Sequence, residues 1–488
     1  MKRLYGALLL TLVGGCANVG VPQLPLMAPA VDPSLTLFDG RYPGPAAGRT
    51  EVSPETTGSL LLQHRALGVA PNAAIDGYVN GVLAKLQQTL PGAPAAARVY
   101  VTPGTEFGAA SYRDGGIYLP YRVLNALESE DELAALIAHE YAHVFLQHHQ
   151  TNWLNGASSL LYSAGKLYIG QQGKKNVSDN DLLRMLAVND LGLGASQIGL
   201  IPALTRDQET EADRLGTDLM IRAGYSYVGV HKLLGRLRTW DEQNRAQREA
   251  RRKDYLQLFS SGDKSLLAKA IDGQVDKLED QATKLVRQWG RHHDSGDARI
   301  KGLREYLRQH YAEADRPALR AASHDKVIRS PQARQFFAGL DQAHVSSQAL
   351  MNKDRKGALA SARQAERSAA SEAPFARHVL INALAVNGQT KDAFGRLETQ
   401  VTAERALYSD NLFLMNVLRG AEPGKALEIA QRSYDNYGEP AELLPDLIAL
   451  NKQLNRSLMV MKFYGICAGK ALAATDNALL ESCNKAKG

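Results

Sequence analysis

The chain is poor in cysteine: three in 488 residues, at Cys16, Cys467 and Cys483. So few exclude a disulfide-dense scaffold and a Cys-rich zinc finger. It also lacks an excess of either charge. Lys and Arg number 57 against 51 Asp and Glu, for a net +6, and a surplus this mild and dispersed does not argue for a nucleic-acid partner. With 44% hydrophobic and 22% charged residues, neither wholesale disorder nor a polytopic membrane protein fits the composition. What the chain has is length. At about 100–200 residues per domain it implies two or three units.

The N-terminus reads as an address. Met1-Lys2-Arg3 is a positive stretch, and the apolar LYGALLLTLVGG after it falls well short of the ~20 residues a spanning helix needs. Residues 1–15 are therefore expected to be a secretory signal. Val13-Gly14-Gly15-Cys16 looks like a bacterial lipobox, whose small residues admit the signal peptidase and whose thiol takes the lipid, with plain secretion and an incidental Cys16 as the alternative. Position 18 is Asn rather than Asp, which in a two-membrane bacterium directs a lipoprotein to the outer membrane. Seven prolines (Pro22, Pro25, Pro29, Pro33, Pro43, Pro45 and Pro54) then make residues 16–60 an expected extended tether.

The chemistry lies further along. SEDELAALIAHEYAHVFLQHHQ carries Ser129 as an N-cap, acidic residues in the first turn, and Leu133, Leu136 and Ile137 at helical spacing, which predicts one helix over 130–150. Within it, His139-Glu140-Tyr141-Ala142-His143 is an HExxH motif. An i,i+4 pair sets both imidazoles on one face about 6 Å apart along the axis, so that they can share a metal ion. Glu140, one position on, can reach a metal-bound water without ligating the metal, as a general base must. His148 lies nine residues from His139, roughly 180° round the helix, so it and His149 read as structural or exposed.

A hydrolytic zinc site needs a third protein ligand and an open fourth position. TRDQETEADRLGTDLMIRAG (205–224) reads as a second helix, with Glu209 and Asp213 on one face and Glu211 roughly 200° away. Glu209 is the expected third ligand. Asp213 is expected to orient a ligating imidazole, His139 first of all, and Glu211 to be a solvated surface residue.

HEYAHVFLQH and GASQIGLIPALTRDQETEADRLGTDLMIRAGYS together resemble the zinc metallopeptidase family of HtpX, BepA and the CAAX prenyl proteases, peptidase family M forty-eight. The resemblance rests on HExxHxxxxH (His139, His143, His148) followed by ExxxD (Glu209, Asp213), and implies a gluzincin with one Zn2+ on His139, His143 and Glu209. Upstream it extends through YVNGVLAKL (78–86), ARVYVT (97–102) and GGIYLPYRVLNALESEDELAALIAHE (115–140). In the family the glycine-containing stretch is an edge strand for substrate, which makes Gly115, Gly116, Ile117, Tyr118 and Leu119 the candidate substrate-binding residues. RHHDSGDARIKGL resembles the family's HPxxxxRI signature, with His293 and Arg299 at its spacing. The resemblance implies that His293 regulates access to the metal or stabilises the oxyanion. Asp294 replaces the usual proline, and His292 is adjacent; an exposed loop histidine is the competing reading. GAAS (108–111) stands where the family carries an Asn-Ala pair.

Residues 151–204 form a long, fairly apolar insertion. They read either as mobile helices that cover the cleft or contact a membrane or an unfolded client, or as a helical hairpin packed on the domain. From about residue 332 the chain becomes Ala-rich. KGAL (356–359), KDAF (391–394) and GKAL (424–427) set Ala358, Ala393 and Ala426 at spacings of 35 and 33 residues, near the 34-residue period of tetratricopeptide repeats. A fourth helix pair is expected through 442–470, and generic helical hairpins remain the alternative. Cys467 and Cys483, in an exported chain, are expected either to form a disulfide or to be two buried thiols.

The expected fold is mainly α: a gluzincin-type metallopeptidase domain over 61–315, combining helices with a small edge-strand sheet, followed by an α-helical repeat solenoid over 332–488. The expected function is a lipid-anchored zinc endopeptidase on the periplasmic face of the outer membrane. Its partners would be unfolded or misassembled envelope proteins as substrates, and a further protein on the repeats. The resemblance to BepA-like proteins implies quality control of outer-membrane proteins; prenyl-protein processing is disfavoured, because that branch carries multiple spans. The rival is a chaperone or scaffold with a latent or structural metal site, against which the presence of a base at Glu140 argues.

Overall fold

The computed structural model describes residues 36–37, 42–43, 59, 63, 67–90, 96–105, 108–112, 114–148, 204–240, 296–352, 354–473 and 476–488. Met1–Gly48 forms one unit. Within it Thr36–Leu37 (β1) pairs antiparallel with Tyr42–Pro43 (β2), so the proline-rich stretch is not wholly extended. Cys16 and the remainder of the expected signal lie outside the described residues.

Arg49–Gly488 forms the other unit, mainly helical around a small sheet. Helix α1 (Ala73–Gln87) starts where Asn72 accepts a hydrogen bond from the Ile75 amide, and it buries Ile75, Val79, Val82, Leu83 and Leu86. Strand β3 (Arg98–Thr102) comes next, then the short β4 (Ala110–Ser111) and β5 (Gly116–Pro120). The sheet order is β3-β5-β4, parallel between β3 and β5 and antiparallel between β5 and β4. Helix α2 (Tyr121–Ala126) leaves β5 directly.

The strand containing most of Gly115–Leu119 is not the expected edge strand. β5 is the central strand, with β3 on one side and β4 on the other, and all five of its residues are buried. The turn explains it. Gly115 sits at φ 86°, where a Cβ would lie 2.1 Å from the Ala96 carbonyl oxygen. That conformation, open to glycine, lets the chain double back so that the Tyr112 amide donates to the Gly116 carbonyl. Among the described residues β3 and β4 are the strands left at the edges.

Helix α3 (Glu130–Leu146) and helix α4 (Arg206–Arg222) pack against each other, followed by helical residues 228–240 (α5) and by α6 (Gly296–His310). Helices α7 (Ala321–Ile328) and α8 (Pro331–Met351) connect this core to the C-terminal helices. The Tyr121 ring stacks on Phe337 and His344 of α8, and the Tyr121 hydroxyl donates to Asp341.

Beyond α8, helices pack on their neighbours in sequence: α9 (Arg355–Glu366), α10 (Pro374–Val386), α11 (Thr390–Thr402), α12 (Tyr408–Leu418), α13 (Pro423–Asn436), α14 (Leu444–Gln453), α15 (Ser457–Ala473) and α16 (Asn477–Lys487). Ala358, Ala393 and Ala426 are all buried at corresponding places near the starts of α9, α11 and α13. At these positions a methyl group fills the space between helices that a larger side chain would hold apart. Cys467 and Cys483 form a disulfide between α15 and α16, with Cα atoms 6.6 Å apart. Among the described residues no helix is long and apolar enough to cross a membrane.

Candidate metal centre

Two helices build the site, and local sequence sets where each begins. Ser129 caps α3 by accepting from the Glu132 amide, and Glu130, Asp131 and Glu132 oppose the positive end of the helix dipole. Thr205 and Gln208 form a reciprocal capping box at the start of α4. Close packing then brings the helices together. A Cβ on Gly216 of α4 would lie 3.0 Å from the His139 amide nitrogen, so glycine there permits the approach.

The result is a convergence of three side chains. His139 Nε2 and His143 Nε2 are 3.1 Å apart. Glu209 Oε2 lies 3.5 Å from the first and Oε1 lies 3.7 Å from the second. One ligand atom from each residue falls within 4.8 Å of the others, and His143 and Glu209 are buried. Two imidazole nitrogens and one carboxylate in this arrangement fit a divalent metal ion, with room in its coordination for a further ligand. Glu140 stays out of the set. It is buried, and its Oε2 accepts a 2.7 Å hydrogen bond from the Ser111 hydroxyl on β4.

Behind His139 stands a second layer. His139 Nδ1 donates to Asp213 Oδ1 at 3.0 Å, which leaves Nε2 to face the ligand cluster. Arg299 of α6 grips the same carboxylate with two bonds, Nε to Oδ2 at 2.9 Å and Nη2 to Oδ1 at 2.7 Å, and its Nη1 is 3.4 Å from Glu209 Oε2. Such a bidentate pair fixes orientation as well as charge. Burial opposes charge on His139, yet Asp213 and Glu209 outweigh it and hold the imidazole pKa up to about 10. Asp213 is likewise buried, but Arg299 and His139 bring it down to about 2. Arg299 is pushed above its ordinary value, its burial outweighed by Asp213. The pocket thus favours positive charge at His139 Nε2, the place a metal ion would take from a proton.

Residues 107–307 match the model of peptidase family M48. The matched stretch contains His139, Glu140, His143, Glu209, Asp213 and Arg299, and it supports a metal-dependent peptidase acting on protein substrates. The helices from α8 onward lie outside it, and no curated protein matches the chain.

One site contact departs from the sequence reading. Helix α3 ends at Leu146 rather than at 150, because Gln147 turns into the left-handed region at φ 56°. The helical wheel therefore does not apply to His148, which is buried against the side chain of His143. Glu211 is exposed, as expected of a solvated surface residue, and in addition pairs with His148 at 3.2 Å. Ser111 was legible only as a departure in GAAS; its contact with Glu140 needs the hairpin that folds β4 onto β5. His293, His149 and residues 151–203 of the insertion lie outside the described residues.

Proposed function

We propose that the protein is a zinc endopeptidase of the bacterial cell envelope, lipid-anchored at Cys16 on the periplasmic face of the outer membrane, which cleaves misfolded or misassembled proteins. The observation that carries this is the convergence of His139, His143 and Glu209 beside Glu140, inside the stretch that matches the peptidase family. A zinc ion held by those three ligands would lower the pKa of a bound water toward ~7 and polarise the scissile carbonyl.

The chain's own residues do the rest. Glu140 accepts the proton of the attacking water and returns it to the leaving amine, and the Ser111 hydroxyl fixes the carboxylate that does so. Asp213, clamped by Arg299, holds His139 in the tautomer that presents Nε2. This gives Arg299 a positioning role. β4 pairs only with β5 among the described residues, so a substrate strand added to its other side would run beside Ser111 and Glu140. Helices α9 to α15 would serve as a tetratricopeptide-like surface that recruits clients, consistent with the buried alanines at Ala358, Ala393 and Ala426.

The test is mass-spectrometric identification of products from an unfolded outer-membrane protein. Wild type should produce defined internal cuts, and Glu140→Gln should bind zinc but cut about 10²–10⁴-fold more slowly. Glu140→Gln cutting at the wild-type rate would remove the proposal. Client rescue that needs residues 332–488 but not Glu140 would favour the scaffold instead.

A further inference from the structure

The two ligating imidazoles are not supported alike. His139 leans directly on the Asp213 carboxylate. His143 instead meets another imidazole, its Nδ1 lying 2.8 Å from Nδ1 of His148. Of two ring nitrogens this close, one must donate and the other accept. His143 Nε2 faces His139 and Glu209, and a ligand atom there needs its lone pair. The proton of neutral His143 therefore sits on Nδ1 and is donated to His148. His148 then carries its own proton on Nε2, which lies 3.2 Å from Glu211 Oε2. The chain of donors runs from His143 through His148 to a carboxylate.

His148 is also held by its backbone. Its amide donates to the His143 carbonyl at 3.1 Å, and its carbonyl accepts from Gln208 Nε2 at 3.1 Å. Gln208 and Glu211 stand on either side of the third ligand, Glu209, in the first turns of α4. One residue thus touches the side chain and backbone of a ligand on α3, and two residues that bracket a ligand on α4. The left-handed Gln147 makes this possible by turning the chain back before the helix could carry His148 away.

We propose that His148, with Glu211 behind it, is a positioning residue of the metal centre that fixes the His143 tautomer and sets the register between the two ligand-bearing helices. The inference rests on reading His143 and Glu209 as metal ligands. A partner of this kind typically contributes about 10–100-fold in metal affinity, and His148 is the counterpart for His143 of what Asp213 is for His139.

The test is zinc affinity of the full chain by competition with a chromophoric chelator, alongside thermal unfolding of the metal-free protein. His148→Phe keeps a ring but has no acceptor, and should bind zinc about 10–100-fold more weakly with little change in metal-free unfolding temperature. His148→Asn restores an acceptor near the Nδ1 position and should recover most of the affinity. Glu211→Gln, a change on a half-solvated side chain that leaves packing intact, should cost a smaller, several-fold loss. His148→Phe and Glu211→Gln both binding zinc as tightly as wild type would overturn the proposal. Wild type binding no more tightly than a His139→Ala/His143→Ala variant would instead overturn the ligand assignment beneath it.

Discussion

The core around the metal centre and the C-terminal helices are held together by different means. The first buries Glu130, Asp131, Glu132, Glu140, Glu209, Asp213 and Asp218, most of them against specific partners: Glu132 takes Arg236 Nε at 2.6 Å, and Asp131 takes the Ser226 amide at 2.8 Å and the Arg320 amide at 2.6 Å. The second packs Ala358, Ala362, Ala393, Ala426 and Ala430 among leucines and isoleucines. Buried charge is a costly way to gain stability, but it fixes where a donor points, whereas apolar packing stabilises at small cost and orients no proton. The second region also buries one oriented pair, His378 Nδ1 with Asp410 Oδ1 at 2.7 Å, but among the described residues the group that could hold a metal lies in the first.

Breaking the charged region should have the largest effect. Arg299→Leu leaves Asp213 and Glu209 as buried carboxylates without their cation, and should destabilise the protein by about 3–5 kcal/mol as well as weaken zinc binding. Denaturant unfolding of the metal-free protein measures it, and a change within ~1 kcal/mol would mean the pair is not built as described. In the alanine-packed region, Ala393→Leu adds volume where none is free and should cost up to about 3 kcal/mol. Zinc affinity should be unchanged, which separates the two regions in one pair of measurements.

The junction between them is sensitive to pH. His324 on α7 is fully buried and meets the Tyr78 hydroxyl at 3.1 Å; burial, aided by the nearby Arg329, brings its pKa down to about 4. The unfolded chain takes up a proton near pH 6.5 and the folded one does not, so this contribution is complete above that pH and is lost as pH falls toward 4. From pH 7.5 to 5 it should remove about 2 kcal/mol. Comparing the urea midpoint of wild type and His324→Gln across that range should show a flatter profile in the variant, and parallel profiles would exclude His324 as the cause. The smallest effect is Ser111→Ala. With Glu140 less constrained, kcat should fall about tenfold, near 1.4 kcal/mol of barrier, while zinc content stays the same; a fall in zinc content would make Ser111 a structural residue instead.

Much of the site could be read from the chain because a helix converts spacing into direction. His139 and His143 at i,i+4, and Glu209 and Asp213 at i,i+4, needed only the assumption that the two helices meet. Residue spacing does not report where a helix ends, and the left-handed Gln147 is what sends His148 back to His143. The sheet departs from expectation for a related reason. GIYLP is apolar without alternation, a pattern of strands covered on both faces and flanks, and that signal favoured the central position over the edge assigned to it by resemblance. Arg299 was legible by spacing from His293, but its grip on Asp213 depends on α6 returning to α4 across more than eighty residues of chain.

On the present assignment Glu209 of α4 completes a metal site begun by the two histidines of α3. Elemental analysis of purified protein dialysed against metal-free buffer decides it. Wild type and Glu140→Gln should each retain one zinc per chain, and Glu209→Ala should retain little or none while still folded by circular dichroism. A Glu209→Ala variant that kept its full zinc, or a folded wild type that held none, would contradict the claim.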